Sequence, residues 1–333
     1  MDKRNLGSDG TRVSAIGIGA LSFTAFYGPT DTQKSHAILS AALDLGIDHL
    51  DTSNVYGAGL SEERIGSFLA AQGAARHGLF KIATKAGIYR KPDGSNGFDN
   101  SPAHIRAELD KSLQRLGVET IELFYMHRRD PAYPIEEVTE TLAGLVKAGK
   151  IRQFGFSEIA PTSLARAAAV HPVGAVQSEY SLSTRSPELG LVQKTAELGT
   201  SFVAFSPVGR GLLTDTPPSP EKAATIPFLQ NNPRFMEPHM SLNLVATESF
   251  RRLAADLGVK SSSLAIAWLL HQGDHVIPIP GTRSVDHLKE LAAGAALKLT
   301  PADLDAIARA LPVGWAHGDR YSVSQWIGPE KYG

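Results

Sequence analysis

The stretch His49-Leu50-Asp51-Thr52-Ser53-Asn54-Val55-Tyr56-Gly57 decides the fold. Just upstream, Ile38, Leu39, Ala42, Leu43 and Leu45 share one face of a helical run from Ser35 to Gly46, and Gly46 stops it. Residues 47–50 then read as a short strand with Asp51 at its end. Asp51 and Tyr56 therefore share a strand-to-helix loop, where α/β folds carry their chemistry. The same rhythm of apolar run, loop, amphipathic helix and turn repeats along the chain. Candidate strands fall at 16–20, 48–51, 81–84, 122–126, 153–156, 175–178, 201–205 and 276–279. Helical patterns lie near 33–45, 61–71, 102–116, 136–148, 161–169, 188–198, 242–256 and 284–293. Ser101-Pro102 and Thr300-Pro301 each set an N-cap before a proline at the first helical position. Leu116-Gly117 and Ala148-Gly149 are C-terminal stops. Eight βα units in 333 residues predict an α/β fold of the (β/α)8 TIM-barrel type, a single domain over residues 1–333. A doubly wound sheet is the main alternative.

Three additions frame that barrel. The turn-rich Leu6-Gly7-Ser8-Asp9-Gly10-Thr11 predicts an N-terminal β-hairpin ahead of a glycine-rich first strand, Val13 to Ala20. After the seventh strand, Val208 to Met240 is long, irregular and rich in proline, which predicts a lid or binding loop. Beyond the last helix, Pro312 to Gly333 carries Trp315, Tyr321, Trp326 and Tyr332, too aromatic for a disordered tail.

Composition narrows the function. The 33 basic and 34 acidic residues nearly cancel, which argues against a nucleic-acid partner. No apolar run is long enough to span a bilayer, and the start of the chain lacks an apolar signal core, so a cytoplasmic location is expected. Cysteine is absent, which excludes disulfides, thiolate catalysis and Cys-ligated metal. There is no H-E-x-x-H, nor other paired-His spacing suited to zinc, so no metal is expected.

The strand ends hold the chemistry. The second strand ends in Asp51 with Tyr56 beyond it, the third in Lys85, the fourth in His127. In a barrel these neighbouring ends meet at one mouth. A lysine ammonium favours the phenolate and lowers a phenol's pKa from near ~10, and a carboxylate holds the lysine. An imidazole can orient a carbonyl oxygen by a hydrogen bond. These groups suit protonation of a developing alkoxide while hydride reaches carbon.

With these residues the chain resembles the aldo-keto reductases, nearly end to end and in order. Asp51-Thr52-Ser53-Asn54-Val55-Tyr56-Gly57 is similar to the family's D-T-x-x-x-Y-G, continued by Ser61-Glu62-Glu63 and Ile65-Gly66. Ile82-Ala83-Thr84-Lys85 resembles the lysine strand, and Leu113 to Val118 with Ile121-Glu122-Leu123 and His127 the histidine segment. Lys150-Ile151-Arg152 with Gly155-Phe156-Ser157 matches K-I/V-R-x-x-G-x-S. His127-Arg128-Arg129-Asp130-Pro131, Gln177 to Leu182 and Gly318-Asp319-Arg320-Tyr321 resemble the branch with pyridoxal reductases and perakine reductase.

The resemblance implies an NADP(H)-dependent reductase of aldehydes, with ketones as a second class, acting on small-molecule carbonyl substrates. It implies Tyr56 as general acid, Lys85 and Asp51 tuning it, and His127 orienting the carbonyl. No G-x-G-x-x-G opens a βαβ unit, and Gly17-Ile18-Gly19 reads as close packing at the first strand. By the same resemblance Ser157 and Gln177 bond the nicotinamide carboxamide and Phe205 lies against the ring. Ser206-Pro207-Val208-Gly209-Arg210-Gly211-Leu212 wraps the pyrophosphate, with Arg210 supplying charge. Gly281-Thr282-Arg283-Ser284, before a helix, suits a 2′-phosphate, and His287 and Glu290 border the adenine. Glu158, His287 and Leu291 depart from the family's usual residues, which predicts weaker contacts there. Barrels of this superfamily also include potassium-channel β-subunits, so a cofactor-dependent redox-sensing subunit is the alternative function. Phe23 to Tyr27, the loop after Lys85, loop 208–240 and the tail are expected to line the substrate pocket.

Overall fold

A computed structural model describes residues 1–76 and 78–332 of the chain. Its centre is a sheet of eight parallel strands in chain order: β3 (Ile18–Gly19), β4 (His49–Asp51), β5 (Lys81–Ala86), β8 (Ile121–Met126), β9 (Ile151–Ser157), β10 (Ala175–Glu179), β11 (Ser201–Phe205) and β12 (Val276–Pro278). The sheet closes on itself. Gly17 N donates to Pro278 O and Gly19 N to Pro280 O, each at 2.9 Å, joining the first strand to the last. A Cβ on Gly17 would sit 2.7 Å from the His49 ring, and one on Gly19 2.8 Å from Ile279 O. Glycine at both positions is therefore a packing requirement of the closure, as the sequence predicts.

The N-terminal hairpin pairs β1 (Lys3–Asn5) with β2 (Arg12–Ser14) and plugs the bottom of the barrel. Its Leu6 and Val13 join Ala83, Leu123, Tyr125, Ala175, Val203 and Ile277 in the interior cluster. Gln153 Nε2 donates to Leu6 O at 2.9 Å, and Gly7 N to Ser201 Oγ at 2.8 Å.

The outer ring begins with α1 (Thr32–Asp44), α2 (Leu60–Ala71), α3 (Pro102–Leu116), α4 (Ile135–Lys147) and α5 (Pro161–Val170). Ser101 caps α3 through His104 N, Gly117 ends it at φ 66°, and Thr300 forms a reciprocal capping box with Asp303 on α12 (Pro301–Ala310). The predicted helix at 188–198 is shorter: a 3-10 turn, then Gly190 at φ 138°, then α6 (Leu191–Glu197). The run predicted at 242–256 starts earlier and divides into α8 (His239–Ala246) and α9 (Glu248–Asp256). At the division the Thr247 hydroxyl bonds back to Asn243 O and Leu244 O (2.9 and 3.1 Å), which bends a helix. Elements outside the sequence-based list include α10 (Ser261–Leu270), packed beneath α11 (Val285–Gly294), and the hairpin β6 (Ile88–Arg90) with β7 (Asn96–Phe98).

The long loop is less irregular than expected. It holds α7 (Pro220–Ala224) and its own core of Leu212, Ala223, Ile226, Leu229, Phe235 and Met240. The tail is ordered as predicted as far as residue 332; Gly333 lies outside the described residues. Trp315 Nε1 donates to Leu182 O at 2.8 Å, and Tyr321 is buried. Among the described residues no single helix is long and apolar enough to cross a membrane.

Candidate active site

Three neighbouring strands, β4, β5 and β8, bring Asp51, Lys85 and His127 to the same end of the barrel. The loop after β4 continues the sheet pairing for two steps, with Thr52 N donating to Ala83 O and Asn54 N to Lys85 O. It then turns through Gly57 and delivers Tyr56 over Lys85. Ser61, at the start of α2, pins this loop by bonding Thr52 Oγ1 and Ala20 O.

The Lys85 ammonium is fully buried and all three of its protons have acceptors: an Asp51 carboxylate oxygen, Thr52 O at 2.7 Å and Tyr56 OH at 3.3 Å. Gln177 Nε2 holds the other Asp51 oxygen at 2.8 Å. Because the phenol oxygen accepts from Lys85, its own proton is left to point elsewhere. His127 stands edge-on to the Tyr56 ring, centroids 5.9 Å apart. Its Nδ1 lies 3.1 Å from Ser53 Oγ, and a hydroxyl donating there leaves the imidazole proton on Nε2.

Burial sets the protonation states. It pushes the Tyr56 phenol above its ordinary pKa, against a downward pull from Lys85, and Asp51 adds to the rise. The sequence predicts the Lys85 pull, but the net direction is opposite because the phenol's surroundings are dry. Burial alone would lower the Lys85 pKa, yet Asp51 and Tyr56 outweigh it and raise it, so the lysine stays charged. Burial, with Arg128 and Lys85 nearby, holds His127 well below the usual histidine range, so the ring is neutral at neutral pH.

These groups open into a cavity of about 1520 Å³, larger than the ~300–1,000 Å³ of a drug-sized ligand site. Tyr56, Asp51, His127, Ser157, Gln177 and Phe205 line its inner part. Ser206, Pro207, Val208 and Arg210 form one wall, and Gly281, Thr282, Arg283, Ser284, His287, Glu290 and Leu291 the far end. Arg283 crosses to the loop before α1 and donates to Pro29 O at 3.2 Å. Gly28, against its guanidinium, holds φ 113°, which side-chain-bearing residues rarely adopt, so that loop needs glycine there. Ser284 caps α11 through His287 N.

Three sequence-predicted residues sit differently. Leu212 packs in the long loop's own core and Gly209 is buried, so the side of the loop that meets the cavity is the Ser206–Val208 turn with Arg210 and Gly211. Arg210 does not carry an unanswered charge. It is buried, with Nη2 on Glu179 and Nη1 on Arg320 O, both at 2.6 Å. Glu158, which departs from the family's usual residue, turns from the cavity to Arg320, accepting at 3.0 and 2.5 Å. Glu158, Ser206 and Arg210 all hold φ between 51° and 56°, so strained backbone gathers at this mouth.

Several lining residues escape sequence reading. Arg128, Lys260 and Ser262 border the cavity, the last two from the start of α10. Asp215 accepts from Ser261 N and Oγ (3.0 and 2.6 Å) and pairs with Lys260 at 3.3 Å, tying the long loop to that helix. Phe26 and Tyr27 meet Phe228 of the long loop, ring centroids 5.0 and 5.5 Å apart, so two loops touch above the cavity. Parts of each expected pocket segment do line it: Phe26 and Tyr27, Ile88 with Arg90, Lys91 and Ser95 to Phe98, Pro227 and Phe228, and from the tail Tyr321, Ser324, Gln325, Ile327 and Gly328. Phe23 instead belongs to the core. Among the described residues no three His, Cys, Asp or Glu gather as a metal site.

Comparison with known proteins identifies the family of this barrel. The model of the Aldo/keto reductase family matches residues 15–312. The chain is 38% identical over 322 residues to aldo-keto reductase yakc [NADP(+)] of Schizosaccharomyces pombe, covering 96% of this chain and 94% of that one. It is 37% identical to probable aldo-keto reductase 1 of Glycine max, covering 95% and 90%. Among solved structures, the glycerol dehydrogenase AKR11B4 of Gluconobacter oxydans superposes with a TM-score of 0.81 at 29% identity, covering 93% of this chain and 96% of that one. Aldo-keto reductase AKR11C1 of Bacillus halodurans (holo form) gives 0.77 at 28%, covering 98% and 99%. With a closed barrel, a Tyr, Lys, Asp and His at its mouth and relatives matched over nearly their whole length, the chain belongs to the aldo-keto reductase family of oxidoreductases.

Proposed function

We propose that this chain reduces aldehydes, and ketones as a second class, to alcohols with NADPH. The observation that carries the reading is the saturated Lys85 ammonium, which leaves the Tyr56 proton available to a ligand in the cavity. The donor set also fits a phosphorylated dinucleotide. Lys34, Lys260 and Arg283 offer cations at one end of the cavity, and Ser157 and Gln177 offer a hydroxyl and an amide at the other. Gln177 donates one amide proton to Asp51, and its oxygen is left to accept from a carboxamide. Ser157 Oγ accepts from Arg128 at 3.1 Å, so its proton is left to donate to the carboxamide oxygen. Phe205 presents a ring face beside them. NADPH held there supplies the hydride. His127 Nε2–H and Tyr56 O–H hold the substrate's carbonyl oxygen, and Tyr56 gives its proton as that oxygen becomes an alkoxide. Lys85 and Asp51 stabilise the phenolate left behind.

The test is oxidation of NADPH against a panel of aldehydes and ketones, with alcohol formation measured. Turnover of no carbonyl compound by protein that binds NADPH contradicts the reading. Cofactor choice gives a second expected result. Arg283→Ala is expected to weaken NADPH binding by about 1.5–3 kcal/mol, the worth of a hydrogen bond to a charged group, and NADH binding far less. Titration of both cofactors checks it; equal affinity of the native chain for NADPH and NADH contradicts the assignment. Activity is expected to survive exhaustive chelation, and a loss restored by one metal would refute that.

A further inference from the structure

The substrate end of the cavity holds cations that form no salt bridge among the described residues. Arg128 directly follows His127, is half-buried and lines the cavity. One of its nitrogens, Nη1, donates to His127 O at 2.6 Å and to Ser157 Oγ at 3.1 Å, which fixes the guanidinium in place. The rest of its fork bonds no residue among those described. Two acids lie near it: Asp130 accepts from Ala132 N at 3.0 Å, and Glu158, though it feels the Arg128 charge, gives both its oxygens to Arg320. Arg129 turns the other way, to Glu330 at 3.4 Å. Arg128 is close enough to Tyr56 and His127 to pull both of their pKa values down.

Arg90 and Lys91, exposed on the β6–β7 hairpin, line the same cavity. That hairpin's own acid, Asp93, bonds Ser95 and feels the Lys91 charge without forming a salt bridge to it. The carboxylates that do line the cavity are already engaged: Asp51 with Lys85, Asp215 with Lys260, and Glu290 with Ser262 at the far end. The phosphates of a dinucleotide would meet Arg283 and Lys34 at the far end, beside the Lys260–Asp215 pair. They leave Arg128, Arg90 and Lys91 unanswered. Around these, Val55, Ile88, Phe98 and Ile327 are apolar. A planar guanidinium held rigid in such surroundings matches a carboxylate or phosphate and suits a neutral ligand poorly.

We propose that the carbonyl compounds this chain reduces carry an anionic group, a carboxylate or a phosphate, which Arg128 binds while Tyr56 and His127 hold the carbonyl oxygen. Arg90 and Lys91 attract the same charge at the entrance. The inference rests on the reductase reading above, and it adds the class of substrate. Since Arg128 adjoins His127, the anion sits a few bonds from the carbonyl.

Matched pairs test it, with the full chain and NADPH: butanal against 4-oxobutanoate, and glyceraldehyde against glyceraldehyde 3-phosphate. The charged member of at least one pair is expected to show kcat/KM at least about 10-fold higher, carried mainly by KM and shrinking as salt rises. The pair that shows the preference tells carboxylate from phosphate. Arg128→Gln is expected to bring the charged-to-neutral ratio to about one, and Arg90→Gln with Lys91→Gln to lower its salt dependence. The native-chain ratios stand even if Arg128→Gln fails to fold. Neutral members used as well as charged ones in both pairs overturn the proposal while the reductase reading survives. A charge preference that persists in Arg128→Gln overturns the role of Arg128. Turnover of neither member of either pair, by protein that binds NADPH in a fluorescence titration, overturns the reductase reading and this proposal with it.

Discussion

Tyr56→Phe is expected to slow carbonyl reduction by ~10²- to 10⁴-fold, the range a positioned general acid contributes. NADPH affinity should stay nearly unchanged. The substitution deletes one oxygen and keeps the ring, so the edge-on contact with His127 and the packing over Lys85 survive. What disappears is the only hydroxyl that both accepts from Lys85 and faces the cavity among the described residues. The hydride then meets a carbonyl whose oxygen has His127 as its one remaining donor, and no proton source. Steady-state turnover with a saturating aldehyde, beside a cofactor titration, checks this. Reduction at close to the native rate would mean that another group is the acid.

Lys85→Met is expected to fail in two ways at once. The ammonium is fully buried, and Asp51 is nearly so. Removing one partner of a buried pair leaves an uncompensated charge, which typically costs ~3–5 kcal/mol of stability. Gln177 still donates to Asp51, which places the expected loss toward the lower figure. Turnover falls as well, because the phenolate loses the charge that stabilises it. The sign of the pH effect follows: Lys85 pulls the Tyr56 pKa down, so its loss lets that pKa rise further. The alkaline fall in reduction then moves to higher pH. Pairing Lys85→Met with Asp51→Asn removes the orphaned carboxylate, so stability should largely return while activity does not. Urea denaturation and turnover of the single and double variants separate the two effects; a double variant as unstable as the single one contradicts the argument. Asp51→Asn alone should have the mildest effect on turnover, since Asp51 reaches substrate only through Lys85.

Much of this was legible in the sequence because barrel strands carry their own signals. Short apolar runs ended by Asp51, Lys85 and His127 place the mouth before any coordinates do. Gly17 and Gly19 are close-packing residues, as the sequence predicts: the His49 ring leaves no room for a Cβ on Gly17, and the Ile279 carbonyl none on Gly19. α10 was not legible. Every residue from Ser261 to Leu269 is buried, so the helix shows no apolar stripe and its pattern has no 3.6-residue period. That gap hid Lys260 and Ser262. The β6–β7 hairpin had a signal, Pro92-Asp93-Gly94, which is turn chemistry. Arg210 shows a different limit. A glycine-rich loop with an arginine invites a phosphate, but Glu179, far away in sequence, already holds that charge. The Tyr56 pKa shows the same limit, because motif spacing names the charged neighbours but not how dry the site is.

The most direct test of the central claim is single-turnover reduction of an aldehyde by NADPH-loaded protein, followed across pH in the native chain and in Tyr56→Phe. The proton donor must be protonated to act, and burial holds the Tyr56 pKa above its ordinary value. The account predicts a native rate that is level through neutral pH and falls only beyond the usual phenol range, above about 10. The same alkaline limb should be missing from the residual rate of Tyr56→Phe. A native rate that falls tenfold per pH unit through neutrality, or a limb that Tyr56→Phe retains, would show that the proton comes from elsewhere.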